Sequence, residues 1–410
     1  MDVRLGYGLT DVGVIPLDWA VFPLIALSTK ITDGEHQTPT RSPSGYYLLS
    51  ARNVQDGHID LLDVDHVCSD EYQRIRLRCD PQAGDVLISC SGTVGRVAVV
   101  PEGLECVMVR SAAMVKADPV KLCGSYLQYF LQSSVGQRQI AASLNQGAQA
   151  NLFLGHIQGL LIALPPTKGE QEAIAEVLSD ADALIESLEH LISKKCHLKQ
   201  GAMQELLTAK KRLPGFGGEW ETKHLGELIL RFTGGGTPSR LNPDYWGGDI
   251  PWVTVKDLGT FDPHHSQETI TEAGLGCSAS HLVPAGTLIT STRMAVGRAV
   301  IYEVDVAINQ DLKALVPLPE MSSQYLRLWF ALNAPSLEEL GSGSTVMGIS
   351  LADLKEVVLN LPRIPEQEAI VAVLSDLDAD IAALETKLAK ARLIKQGMMQ
   401  ELLTGRTRLV

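Results

Sequence analysis

Two stretches of this chain carry residues whose types and spacing suit contact with phosphate and with base edges. They read SGTVGR at 91–96 and STRMAVGR at 291–298. The hydroxyls of Ser91, Thr93, Ser291 and Thr292 can bond phosphate oxygens. Arg96, Arg293 and Arg298 can meet phosphate or the acceptor edge of guanine. Gly95 and Gly297 would let the backbone come close. A plain hairpin turn has the same composition, so the turns alone do not decide.

Three further groups point the same way. In RIRLR (74–78), a strand would set Arg74, Arg76 and Arg78 on one face, as a salt-bridged face or a nucleic-acid track. Asn145, Gln146 and Gln149, with Asn151, are amides of the kind that read adenine, or else a solvated loop. The matching stretch of the second half holds Ser342, Ser344 and Thr345, and Lys256 follows the apolar run WVTV.

Catalysis is not expected. NPDYW (242–246) approaches the tetrad with which amino-methyltransferases hold an exocyclic amine, but its third residue is Asp244 where that motif needs proline. No glycine-rich strand–turn–helix offers a nucleotide cofactor site, so no cofactor is expected. Seven cysteines form no C-x-x-C pair, and ten histidines show no ligand spacing, so no metal is expected and the thiols read as reduced and mostly buried.

What must position these groups is a repeat. EQEAIAEVLSDADALIESLEHLISKKCHLKQGAMQELLTAKKRL (170–213) recurs at a constant offset as EQEAIVAVLSDLDADIAALETKLAKARLIKQGMMQELLTGRTRL (366–409). Each copy predicts one helix of roughly 60 Å. Its apolar seam runs through Ile174, Val177, Ile185, Leu188, Ile192 and Leu206 in the first copy, with Ala181, Leu198 and Ala202 between them. In the second copy the seam is Ile370, Val373, Leu377, Ile381, Leu384, Leu388 and Leu402, with Ala391, Ile394 and Met398. A seam so long and narrow needs a partner, and the other copy matches it. The expected fold is therefore α+β. Two globular domains (1–164 and 214–361) are separated by two long helices (165–213 and 362–410) that form an antiparallel coiled coil with a pseudo-twofold internal repeat. Asp180, Asp182, Asp376 and Asp378 flank the seam and would serve a docking site present twice.

The domains also repeat, more distantly. Both open near a tryptophan (PLDW, GGEW), both hold a VGR turn after an apolar run, and both end in an apolar segment running into proline. The chain has 410 residues and a net charge of −13, and no segment is net basic. Nucleic-acid binding would therefore need local patches or a partner's charge. No apolar run is long enough for a membrane span, and the start shows no secretion signal, so a cytoplasmic protein is expected.

The duplicated helix, GGGTPSRLNPDYWGGDIPWVTVKDL (234–258) and the two VGR turns together resemble the specificity (S) subunits of type I restriction–modification systems. The resemblance covers essentially the whole chain, although the first domain matches only in layout. It implies two target recognition domains, each reading one half of a bipartite double-stranded DNA site. It further implies helices that space the half-sites and dock two methyltransferase (M) subunits, restriction (R) subunits that join the assembly, and no chemistry in the chain itself. The rival reading is a coiled-coil adaptor with two ligand- or protein-binding domains and no DNA; the acidic charge favours it.

Overall fold

The computed structural model describes residues 5–144, 150–341 and 348–409. Helices and strands are mixed, and the chain divides into two compact units. One comprises Met1–Glu189 with Thr386–Val410, the other His190–Glu385.

In the first unit, Ser28–Asp33, Ala112–Ala117, Val86–Ser89 and Val97–Val99 form an antiparallel four-stranded sheet. Val86, Ile88, Ala113 and Val115 are fully buried from water and pack on the helix Gly124–Gln132, whose Tyr126, Leu127 and Phe130 complete the contact. A second sheet orders Cys106–Met108, Tyr46–Leu49, Asp65–Val67 and Arg41–Ser42. From Ser28 onward most strands precede the main helices, but the helix Ser69–Arg76 falls between strands and the strand Leu161–Leu164 follows the helices.

The second unit repeats this plan. Ile229–Gly234, Leu312–Pro317, Leu288–Ser291 and Ala299–Ile301 form one sheet. Glu268–Ile270, Trp246–Val253, Val306–Ile308 and Leu282–Val283 form the other. The helix Ser323–Gly341 covers the first sheet with Tyr325, Trp329 and Phe330. Its counterpart in the first unit is broken in two at Ser133, whose hydroxyl caps the second piece by accepting from Gly136 N.

The repeat forms two helices, Lys168–Leu206 and Ile364–Leu402, each of 39 residues. Within the first unit, Lys395 pairs with Asp182 and Arg392 with Glu189 (2.6 Å), so these helix segments run antiparallel. Within the second, Lys199 pairs with Asp378 and Lys195 with Asp380 (2.7 Å), in the same sense. The seam is displaced from its expected line at three points. Val373 is exposed and its neighbour Leu374 is buried instead. Leu198 and Ile394 are half exposed, and the adjacent Lys199 and Lys395 turn inward to their aspartates. Asp182 and Asp378 are thereby engaged inside the chain, which accounts for the lysine of KQG and for one aspartate in each copy, while Asp180 and Asp376 remain exposed.

Two smaller expectations change. The stretch HIDLLDVDHV (58–67), whose alternation suggests a strand, is mostly irregular, with a strand only at Asp65–Val67. The cysteines are free but not mostly buried: Cys79, Cys90 and Cys106 are, whereas Cys68, Cys196 and Cys277 are exposed.

Candidate nucleic-acid interface

The two VGR turns occupy equivalent places. Each follows the third-ordered strand of the helix-covered sheet and returns as its edge strand. In the first unit, Ser89 Oγ donates to Thr93 O (2.7 Å) and accepts from Arg96 N (2.9 Å), which closes the turn from inside. Gln137 Nε2 donates to Gly95 O (2.9 Å) and ties the turn to the helix behind it. Thr93 is exposed, Ser91 is half-buried, and the Arg96 guanidinium donates to Gln55 Oε1.

In the second unit the hydroxyls are spent. Ser291 and Thr292 are buried; Ser291 Oγ donates to the carbonyls of Arg293 and Met294, and Thr292 Oγ1 donates to Asp311 O (3.1 Å). These two residues match Ser89 and Cys90, because Ser89 N bonds Arg96 O and Ser291 N bonds Arg298 O. The hydroxyls expected to meet phosphate therefore hold the turn together, and the outward positions are Arg293, Met294 and Arg298. Arg293 lies 3.7 Å from Asp311; Arg298 has no side-chain partner among the described residues.

The glycines act on packing as well as on backbone freedom. Gly95 has φ +88°, and a Cβ there would lie 3.1 Å from Ile140 Cγ2; Gly297 has φ +81°, and its Cβ would lie 3.0 Å from the Ala334 backbone. Both sit against a helix, so helix packing as well as positive φ calls for glycine at these positions.

The described residues just after 145–149 and 342–347 meet these turns. Ser91 forms a β-bridge with Asn151, and Arg293 forms one with Gly348. Asn145, Gln146, Gln149, Ser342, Ser344 and Thr345 themselves lie outside the described residues.

The arginine stripe is not a strand. Ser69–Arg76 is a helix that buries Tyr72 and Ile75, three apart, and its acidic first turn suits the helix dipole. Arg74 bonds Glu71 (2.8 Å) and Glu35 (3.0 Å), Arg76 bonds Asp80 (2.6 Å), and Arg78 bonds Asp33 (2.6 Å). Bonding from Arg74 holds the Glu71 carboxyl below its ordinary range. Each guanidinium already has a carboxylate, which leaves little uncompensated charge for phosphate. Lys256 stays exposed, in a turn fixed by Asp257 accepting from Thr254 N (2.7 Å).

The model for the type I restriction modification DNA specificity domain matches twice, over residues 40–194 and 217–392. The chain belongs to that family. Among curated relatives, the type I restriction enzyme MjaIX specificity subunit of Methanocaldococcus jannaschii is 32% identical over 165 residues, 39% of this chain and 38% of that one. The EcoR124I/EcoR124II specificity subunit of Escherichia coli is 28% identical over 285 residues, 66% of this chain and 67% of that one. The crystal structure of the type I S subunit from M. genitalium superposes with a TM-score of 0.62 at 16% identity, covering 98% of both chains.

As a type I specificity chain, the protein also repeats a motif that the sequence reading passed over in its first domain. TPTR (38–41) matches TPSR (237–240). Arg41 pairs with Asp65 (2.9 Å), and Arg240 pairs with Glu268 while lying 3.7 Å above the Trp246 ring. Just before each motif, Gly34 and Gly235 pass so close to the carbonyls of Met108 and Ile308 that a Cβ would overlap them. The tetrapeptide was the available signal, hidden because the surrounding residues differ. Nearby, Asn242 Oδ1 accepts from Asp244 N (3.1 Å), so NPDYW opens a 3-10 turn.

Proposed function

We propose that this chain is the non-catalytic, DNA-reading subunit of a type I restriction–modification complex. Residues 1–164 and 214–361 would each read one half of a bipartite double-stranded site. Residues 165–213 and 362–410 would pair as an antiparallel coiled coil on a pseudo-twofold axis and set the gap between half-sites. Two M subunits would dock on the repeated helices, with R subunits joining them, in the cytoplasm. The observation that supports this reading best is that each half bridges its turn to an equivalent residue, Asn151 or Gly348, within a family match that covers both halves.

Candidate contacts to DNA are Ser91, Thr93, Arg96, Lys256, Arg293 and Arg298, with the flanking amide and serine stretches. The acidic charge of the chain assigns much of the sequence-independent phosphate attraction to the M subunits. Free S should then bind DNA weakly.

Methylome sequencing of cells expressing the cognate M subunit, with and without this gene, tests the reading. Loss of one split adenine-methylation motif is expected, and exchange of residues 16–164 should alter one half of it only. An unchanged methylome would overturn the proposal.

A further inference from the structure

Resting on that functional reading, we propose that Arg110 is a DNA-contacting residue of the first unit, at the corner where its recognition turn meets three other segments. Arg110 lies in the connection between Cys106–Met108 and Ala112–Ala117 and is exposed. The connection is fixed on all sides. Arg110 N donates to Glu35 O (3.0 Å), Cys90 N donates to Ser111 O (2.8 Å), and Ser111 Oγ accepts from Ala51 N (3.0 Å). Leu152 N donates to Cys90 O (2.9 Å), which brings in the end of the amide stretch. Arg110 thus projects from a bonded backbone, next to Ser111, which pairs with Cys90 just before Ser91.

Its charge is uncommitted. Within 5–164, Arg41, Arg52, Arg74, Arg76, Arg78, Lys116 and Lys121 all pair with carboxylates. Lys30 and Arg138 donate to backbone carbonyls, and Arg96 donates to Gln55. Arg110 alone makes no side-chain hydrogen bond or ion pair with a described residue. In an acidic domain, a paired guanidinium brings little net attraction for a polyanion, whereas a free one brings its full charge. An exposed arginine left unpaired amid so many carboxylates is placed for an anion from outside.

The second unit differs at the same corner. There Thr292 N bonds Asp311 O, so Asp311 takes the place of Ser111 and Gln310 that of Arg110. Gln310 Oε1 accepts from Thr237 Oγ1 (2.8 Å). One half therefore offers a cation at this corner and the other an engaged amide, as expected if the two halves read different sequences.

The test uses the S chain assembled with its M subunits. DNA affinity is measured against salt for the unaltered complex and for Arg110→Ala and Arg110→Lys, and the methylome is read for each. Arg110→Ala should weaken binding by about 5- to 100-fold without shifting thermal unfolding, because the exposed side chain makes no hydrogen bond or ion pair with a described residue. A phosphate contact would lower the salt slope by about 1 and survive as lysine. A base contact would relax one position of one half-site and fail as lysine. Either result supports the inference. Unaltered affinity and motif in Arg110→Ala, with the native complex active, would overturn it alone. A native complex that bound no split sequence would overturn the functional reading and this inference together.

Discussion

Arg408 closes on Glu170, 238 residues earlier in the chain, with Nη2 at 2.8 Å from Oε2. The same guanidinium reaches Asp18 (2.8 Å) and stands over Trp19. The second unit repeats the arrangement, with Arg212 on Glu366 (2.7 Å) and Trp220 beside it. Glu170 and Glu366 are almost wholly buried, so each depends on its arginine for compensation. Arg408→Met should lower stability by on the order of 3 kcal/mol, because it leaves a buried carboxylate unpaired. Adding Glu170→Gln should recover most of that loss. Denaturant unfolding of the two variants checks it; equal stability of Arg408→Met and the parent would show that the pair is idle.

Gly297 should be far less replaceable than Gly286. Both have positive φ (+81° and +78°), but a Cβ at 286 meets open space and one at 297 meets the Ala334 backbone. Gly286→Ala should cost about 1 kcal/mol from backbone strain. Gly297→Ala should cost about 1–3 kcal/mol, and in the assembled complex it should impair one half-site and spare the other. The comparison is read by thermal unfolding and by methylome sequencing.

Thiol chemistry should sort the cysteines in two groups. Burial pushes the thiols of Cys79, Cys90 and Cys106 up to about 12, so at pH 8 they are protonated as well as shielded. An aromatic disulfide reagent should therefore label Cys68, Cys196 and Cys277 quickly in the native chain and the buried three only after unfolding. Cys196 lies on the first long helix, and its labelling should slow when M subunits are bound.

Lengthening both long helices by seven residues should keep the seam in register, since one heptad returns the same face. It adds about 10 Å, or about 3 base pairs at 3.4 Å each. The methylated motif should keep both half-sequences and widen its gap.

The long helices were legible in sequence because an apolar period is a direct consequence of burial, and the copies reinforced each other. The seam's exact line was less so. Leu198 and Ile394 are as apolar as their neighbours, and only the aspartates opposite Lys199 and Lys395 decide which side chains turn inward. RIRLR misled because alternation over five residues fits a strand, yet the acidic SDE before it marks a helix start. Ser291 and Thr292 share residue type with Ser91 and Thr93, but the backbone bonds place them at the positions of Ser89 and Cys90, where hydroxyls satisfy buried carbonyls. Arg110 left no signal, because whether a charge is compensated depends on carboxylates distant in the chain.

The division of the two long helices between the units also bears on the order of synthesis. The second unit is one uninterrupted run, His190–Glu385, and can close as soon as that run has left the ribosome. The first unit cannot: Leu402 and Leu403 belong to the same core as Ile15 and Trp19. Until Leu402 and Leu403 are made, the apolar surface near Trp19 lacks part of its cover. The unit begun first in this sequence is thus completed after the one begun second, and in that interval it is the more open to misassembly.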